Sequence, residues 1–330
     1  MKKSGRKFSL MELSLIGILA AMFILFSILN GTSFFGSYNL LNILKSAGAM
    51  AIMVLGLTWV LGAGEFDCSF PEVASCASMI FAYMLNKRYD PTLCLVVSLL
   101  SGVGFGLLNS LLVVKFGFYS LIATIATSTI AGACANIVYK GSVLSIKGIN
   151  SKWMYKFFAQ KVGAWNLPMV FVVAFVLFAV ALLIQEKTRF GQYIYALSEN
   201  PQAVKEGGIK DGRVKTILFV FSSFMAAFGG IVYVLTVYKS GQPNMGASFF
   251  LNGFTCVFLG SMVLKLGKTH VIGTLIGTIV LATLTSGLTM QGAGFAVGQV
   301  TKGLLLILGV SVVTIYRRKI VPRGRKMKYE

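Results

Sequence analysis

About ten apolar runs, each near the length that crosses a bilayer, set the terms on which this chain can fold. They cover roughly 10–30, 40–63, 70–86, 91–114, 119–139, 167–185, 215–238, 248–264, 270–289 and 297–316. About twenty helical residues span the ~30 Å hydrocarbon layer. In that layer every backbone N–H and C=O has to be satisfied within the protein, which leaves helices as the structure for runs of this length. Composition agrees: 56% of the chain is hydrophobic, only 12% is charged, and the mean hydropathy is +0.80. A water-soluble domain carries about 25% charged residues, so this chain has too few to cover a globule of its size. The expectation is an all-α, polytopic transmembrane helical bundle of about ten spans, one domain over 1–330, embedded in a lipid bilayer.

A net charge of +20 in a soluble protein would suggest nucleic acid. Here the cations stand between and beyond the apolar runs, where they determine topology, so no nucleic-acid partner is expected. Lys2, Lys3, Arg6 and Lys7 precede the first run, and Arg317, Arg318, Lys319, Arg323, Arg325, Lys326 and Lys328 crowd the basic tail 317–330. Both ends therefore read as cytoplasmic, which requires an even number of spans. The first run is long enough to span and has no clear small-x-small cleavage site before Phe34, so it reads as a retained helix rather than a signal peptide. One loop departs from the charge rule. The segment 140–166 should lie outside, yet carries Lys140, Lys147, Lys152, Lys156 and Lys161 together with Trp153, Tyr155 and Trp165. It reads as an interfacial segment with aromatic anchors, or as a docking surface for an acidic partner.

Residues for bond chemistry are missing from the pattern. Gly267-Lys268-Thr269 resembles the end of a phosphate-binding loop, but Met262 stands where that loop needs glycine. His270 is the single histidine, and Cys68, Cys76, Cys94, Cys134 and Cys256 form no CxxC pair, so no metal site, cofactor or catalytic residue is expected. Glycines at 102 and 106, and at 273 and 277, have the GxxxG spacing that lets helices approach closely.

Two polar stretches carry function instead. The first breaks the pattern after the second run: Gly64, Glu65, Asp67, Ser69, Pro71 and Glu72 interrupt a helix among apolar neighbours. Non-helical backbone at membrane depth is tolerated against protein or a water-lined cavity, so these residues are candidates for a translocation path. The second lies in the polar segment 186–215. Asn200-Pro201 is a helix start and Gly207-Gly208 a stop, giving a short exposed helix over 199–209 suited to a partner's cleft.

These stretches also carry a resemblance. The chain resembles the permease subunits of bacterial ribose-type ABC importers. Gly64, Asp67, Ser69 and Val73 match that family's glycine-rich motif after the second span, while Glu65, Cys68, Pro71 and Glu72 depart from it. Thr188, Phe190, Gly191, Tyr195, Ala196, Asn200, Ala203, Gly208 and Ile209 match its cytoplasmic stretch. Leu259, Gly260, Leu264, Gly267, Gly273 and Lys302-Gly303 follow it further on. The resemblance implies a transport subunit of the bacterial cell membrane rather than an enzyme. Its implied partners are a second permease chain, an ABC ATP-binding subunit and an extracytoplasmic solute-binding protein. The 199–209 helix would be the coupling helix, with Glu199, Asn200, Ala203, Glu206, Gly208 and Ile209 facing the ATPase. The solute would be a sugar or sugar-like. A gradient-driven secondary transporter, with Glu65 or Asp67 as coupling acid, remains the alternative reading.

Overall fold

The computed structural model describes residues 14–262 and 268–320. Residues 10–13 of the first apolar run, Leu264 and Gly267, and the tail beyond 320 lie outside the described residues.

Each of the ten expected runs is matched by a helix, and three further helices lie in the segments 140–166 and 186–215, making thirteen among the described residues. These are α1 (Ser14–Asn30), α2 (Ser37–Gly62), α3 (Phe70–Asn86), α4 (Pro91–Ser110), α5 (Ser120–Val138), α6 (Trp153–Ala159), α7 (Met169–Lys187), α8 (Arg189–Glu199), α9 (Pro201–Glu206), α10 (Asp211–Tyr233), α11 (Gly246–Gly260), α12 (Val271–Met290) and α13 (Phe295–Ile320). Helix α4 continues as a wider π turn to Lys115, and α10 to Tyr238. Six helices among the described residues are long and apolar enough to cross a membrane: α2, α4 and α10 with their extensions, α5, α7 and α12. Three further apolar helices, 17–33, 248–260 and 295–311, are shorter.

Local chemistry sets several of these ends. Pro91 opens α4, where its missing N–H costs nothing, and the Asp90 carboxylate accepts from the backbone N–H groups of Thr92 (2.8 Å) and Leu93 (3.2 Å). Helix α12 is capped by His270, whose Nδ1 accepts from the N–H of Ile272 at 3.2 Å. That bond leaves the ring proton on Nε2, which faces Glu186 Oε1 at 3.1 Å.

Helices α2 and α10 form the buried centre, packed against each other and ringed by α3, α4, α7 and α12. In lipid no hydrophobic force drives helix to helix, so contact rests on van der Waals packing and small residues that let backbones close in. Glycines supply this at each central crossing. Gly56 of α2 lies on the backbone of Ser222, and Gly229 of α10 on that of Met53. Both expected GxxxG pairs are close approaches as well. Gly102 and Gly106 of α4 meet α10 at Ser223 and Val220, while Gly273 and Gly277 of α12 meet α11 at Gly260 and Cys256.

The segment 140–166 folds onto the bundle end formed by the C-termini of α3, α5 and α10. Strand β1 (Leu144–Ser145) pairs antiparallel with β4 (Ser240–Gly241), and β2 (Lys161–Val162) with β3 (Leu167–Pro168). Asn86 holds β1 through bonds to Ser145 O (2.8 Å) and Lys147 N (3.0 Å). Met154 and Phe158 of α6 are buried, while Trp153 and Trp165 are exposed.

A Cβ on Gly106 would sit 2.6 Å from Val220 Cα and 2.9 Å from Phe219 O, whereas one on Gly104 would meet nothing within 4 Å. Gly106→Val should therefore destabilise the detergent-solubilised chain by about 1–3 kcal/mol. Gly104→Val should leave its thermal midpoint nearly unchanged. Equal midpoints for the two variants would show that this crossing is not tight.

Candidate functional site

The break between α2 and α3 begins with a glycine doing what only glycine does cheaply. Gly64 takes φ +80°, its N–H bonds to Leu61 O, and the N–H of Glu65 reaches back to Val60 O, both at 3.1 Å. This closes α2 in a Schellman turn and releases the chain as irregular, non-helical backbone up to Ser69. The exposed N–H groups are then taken by side chains of α5: Phe66 N bonds Ser120 Oγ and Cys68 N bonds Thr124 Oγ1, each at 3.0 Å.

Asp67 is the centre of the break. It is fully buried, and its Oδ1 accepts from the backbone N–H (2.9 Å) and hydroxyl (2.6 Å) of Ser69. Its Oδ2 accepts from Ser222 Oγ of α10 at 2.7 Å. Asn109 Nδ2 of α4 donates to Ser69 Oγ at 2.8 Å. The carboxylate thus joins α3 to α10, and Ser69 extends the link to α4. Ser222 stands eleven residues past Asp211 (211 to 222), about 16 Å along α10. Sequence reasoning identified Asp67 and Ser69 but not Ser222 or Asn109, which lie in runs where polar residues read as generic packing groups.

Glu65 and Glu72 have different settings. Glu65 Oε1 pairs with Lys215 Nζ of α10 at 2.5 Å, both side chains mostly shielded. The pair faces a cleft of about 750 Å³ shared by the break, the α4–α5 turn and the start of α10. Glu72, in the first turn of α3, projects between Gly132 of α5 and Gly246 of α11, and its Oε2 is buried without a hydrogen-bond partner among the described residues. Pro71 is buried at the start of α3, where proline is well tolerated. Gly64, Glu65, Asp67, Ser69, Pro71 and Glu72 are therefore contiguous, but they do not line one surface.

The polar segment contains two helices where one was expected. The stretch 199–209 contributes only α9, Pro201–Glu206, and α8 precedes it. The caps are those the sequence implied: Asn200 Oδ1 accepts from Ala203 N at 3.0 Å, and Gly208 ends the element at φ +73°. Val204 anchors α9, while Gln202, Ala203, Lys205 and Glu206 are exposed. Glu199 belongs to the end of α8 and pairs with Lys268.

Helix α8 is what connects α9 to the break. Ile194 and Leu197 are buried, Ile194 lies beside Gly62, and Ser198 lies beneath Gly64. Phe190 meets Trp59 of α2 edge-on, with ring centroids 5.9 Å apart. Burial pushes the Tyr195 hydroxyl well above the usual phenol range. Beside it, Gln185 Oε1 accepts from Val271 N at 3.1 Å, and Thr269 Oγ1 donates to Thr58 O at 2.9 Å. These bonds tie α7, α12 and α2 together at the same end of the bundle. Isolated Gln185 and Thr269 gave no sequence signal of that role.

An apolar helical bundle with a hydrogen-bonded break near one end, and a short capped helix presented beside it, is the architecture of a multi-pass membrane permease. The chain belongs to the family described as the permease component of the branched-chain amino acid transport system, which matches residues 39–310. Among curated proteins it is similar to the ribose import permease protein RbsC of Bacillus subtilis, with 28% identity covering 87% of this chain and 88% of that one. The RbsC protein of Escherichia coli K12 is 27% identical, covering 89% and 92%. The xylose/arabinose import permease protein XylH of Sulfolobus acidocaldarius is 26% identical, covering 93% and 85%.

Asp67→Ala would leave the Ser69 N–H and two buried hydroxyls without their acceptor, at about 1–3 kcal/mol for each group left unsatisfied. A marked fall in thermal midpoint is expected. Removing the less buried Glu65–Lys215 pair by a double Ala substitution should cost about 0–1 kcal/mol. The reverse ranking would mean that the carboxylate is not the structural centre of the break.

Proposed function

We propose that this chain is the permease subunit of an ATP-driven importer for a sugar or sugar-like solute. The observation that carries the reading is the continuous contact from exposed α9 through α8 to the break. A push on α9 reaches Gly62 and Gly64 through Ile194 and Ser198, and reaches α10 through the Glu65–Lys215 pair. Rigid helices linked in this way can rock the spans with no bond chemistry in the chain itself.

In this arrangement the six long spans are joined by α1, α3, α11 and α13 to make ten, with both termini cytoplasmic. Helices α8 and α9 then face the cytosol, and the 140–166 segment and β4 lie outside. Glu199, Asn200, Ala203, Glu206, Gly208 and Ile209 form the coupling element, which docks on a separate ABC ATP-binding subunit. Two permease chains enclose the path, and a solute-binding protein delivers from the outer side. The family's description names branched-chain amino acids, but the relatives above align over nearly their whole length and are named for pentoses, which favours a sugar. Gradient coupling is disfavoured, because Asp67 is fully buried and accepts three hydrogen bonds, and Glu65 is paired.

Ala203→Arg combined with Glu206→Arg changes only exposed positions of α9. The pair should cut co-purification of the ATP-binding subunit about tenfold, equivalent to 1.4 kcal/mol, and abolish uptake while leaving the thermal midpoint unchanged. Full retention of the ATPase would remove α9 from the coupling role. Glu65→Gly with Glu72→Ser should alter the uptake rate of whichever sugar is carried, and identical transport would separate both acids from the path.

A further inference from the structure

A polar cavity lies away from the break, between α2, the end of α10, α11, α12 and α13. Its volume of about 460 Å³ falls within the ~300–1,000 Å³ range of small-molecule sites. Five of its polar side chains have no hydrogen-bond or ion-pair partner among the described residues: Asn42 and Ser46 of α2, Ser248 and Asn252 of α11, and Lys302 of α13. Asn252 Oδ1 is wholly shielded and still unsatisfied. Tyr233 forms an aromatic wall, stacked on Tyr238 (5.7 Å between centroids) and edge-on to Phe249 (4.8 Å).

Buried polar groups are normally paired, and those that are not call for an explanation. Amide and hydroxyl groups converging beside an aromatic wall suit a ligand with several hydroxyls. The charge is equally one-sided: Lys302 lines the cavity, and among the described residues no aspartate or glutamate does. An ammonium withdrawn from bulk water is stabilised by an anionic partner with which it can form a charge-assisted hydrogen bond. We propose that this cavity is a solute subsite for a polyhydroxylated compound bearing one carboxylate, as in a sugar acid. The carboxylate pairs with Lys302, and the hydroxyls meet Asn42, Ser46, Ser248 and Asn252. The inference rests on the importer reading and narrows its solute class.

The test uses the full chain in lipid nanodiscs carrying Asn252→Cys, with the unsubstituted chain as background. The thiol is modified with an anionic sulfonatoethyl or a cationic trimethylammonioethyl methanethiosulfonate. A water-filled cavity bearing Lys302 should favour the anionic reagent, and Lys302→Met should lower the anionic-to-cationic rate ratio about tenfold. Lys302→Arg should preserve it. Millimolar D-ribonate should slow modification more than D-ribose does, and this difference should vanish with Lys302→Met. Rates that ignore reagent charge would overturn the site. Equal protection by the two compounds, or protection by neither, would overturn the ligand class. Ser248→Cys serves as a second reporter if Asn252→Cys does not fold. The assay contains no ATPase, so loss of ATPase capture with intact protection would sink the importer reading and leave the cavity standing.

Discussion

The constraint on which the rest of this structure depends is that no backbone N–H may go unpaired in lipid. Between Gly64 and Ser69 the chain gives up helical bonds and has to recover them from elsewhere. Ser120 and Thr124 supply acceptors from α5, and Asp67 supplies them from within the break. Because those acceptors stand on fixed helices, α2 and α3 are held at a set offset, and α10 fits between them through Ser222. Asp67, one of the two acids the sequence offers for coupling, is thus the one most thoroughly committed to structure.

Close packing completes what the hydrogen bonds begin. Helices in a bilayer gain little from apolar contact alone, so the glycines at 56, 102, 106 and 229 decide which faces meet. They bring α4 and α2 onto α10 without intervening side chains, leaving few soft layers at the centre of the bundle. Motion is then expected as whole-helix displacement rather than local bending, which is the behaviour a mechanically driven passage requires.

Much of this was legible beforehand. Apolar length located the helices to within a few residues because long apolar runs satisfy their own backbone groups as helices. Asn200-Pro201 and Gly208 announced α9 because capping is local chemistry that depends on adjacent residues only. Phe190, Ile194 and Leu197 recur at helical spacing behind the Thr188 cap, so α8 itself was open to sequence reading; what was not is its partners, Trp59 and Gly62, more than a hundred residues away in sequence. The same limit hid Lys215, Ser222, Asn109 and Gln185, whose meaning depends on partners brought close by the fold. The grouping of Gly64 to Glu72 as one path element rested on nearness in sequence, but the chain passes there from an irregular segment into the first turn of α3, and its side chains leave in different directions.

Glu72 occupies space that exists because residues 132 and 246 have no side chains. Any Cβ at 246 would collide with its carboxylate. The three positions therefore form one unit drawn from α3, α5 and α11. A side chain at 246 would push the Glu72 carboxylate aside, whereas one at 132, 3.2 Å from it, would ask for a shift of only a few tenths of an ångström, so the room given to this acid is set chiefly by residue 246.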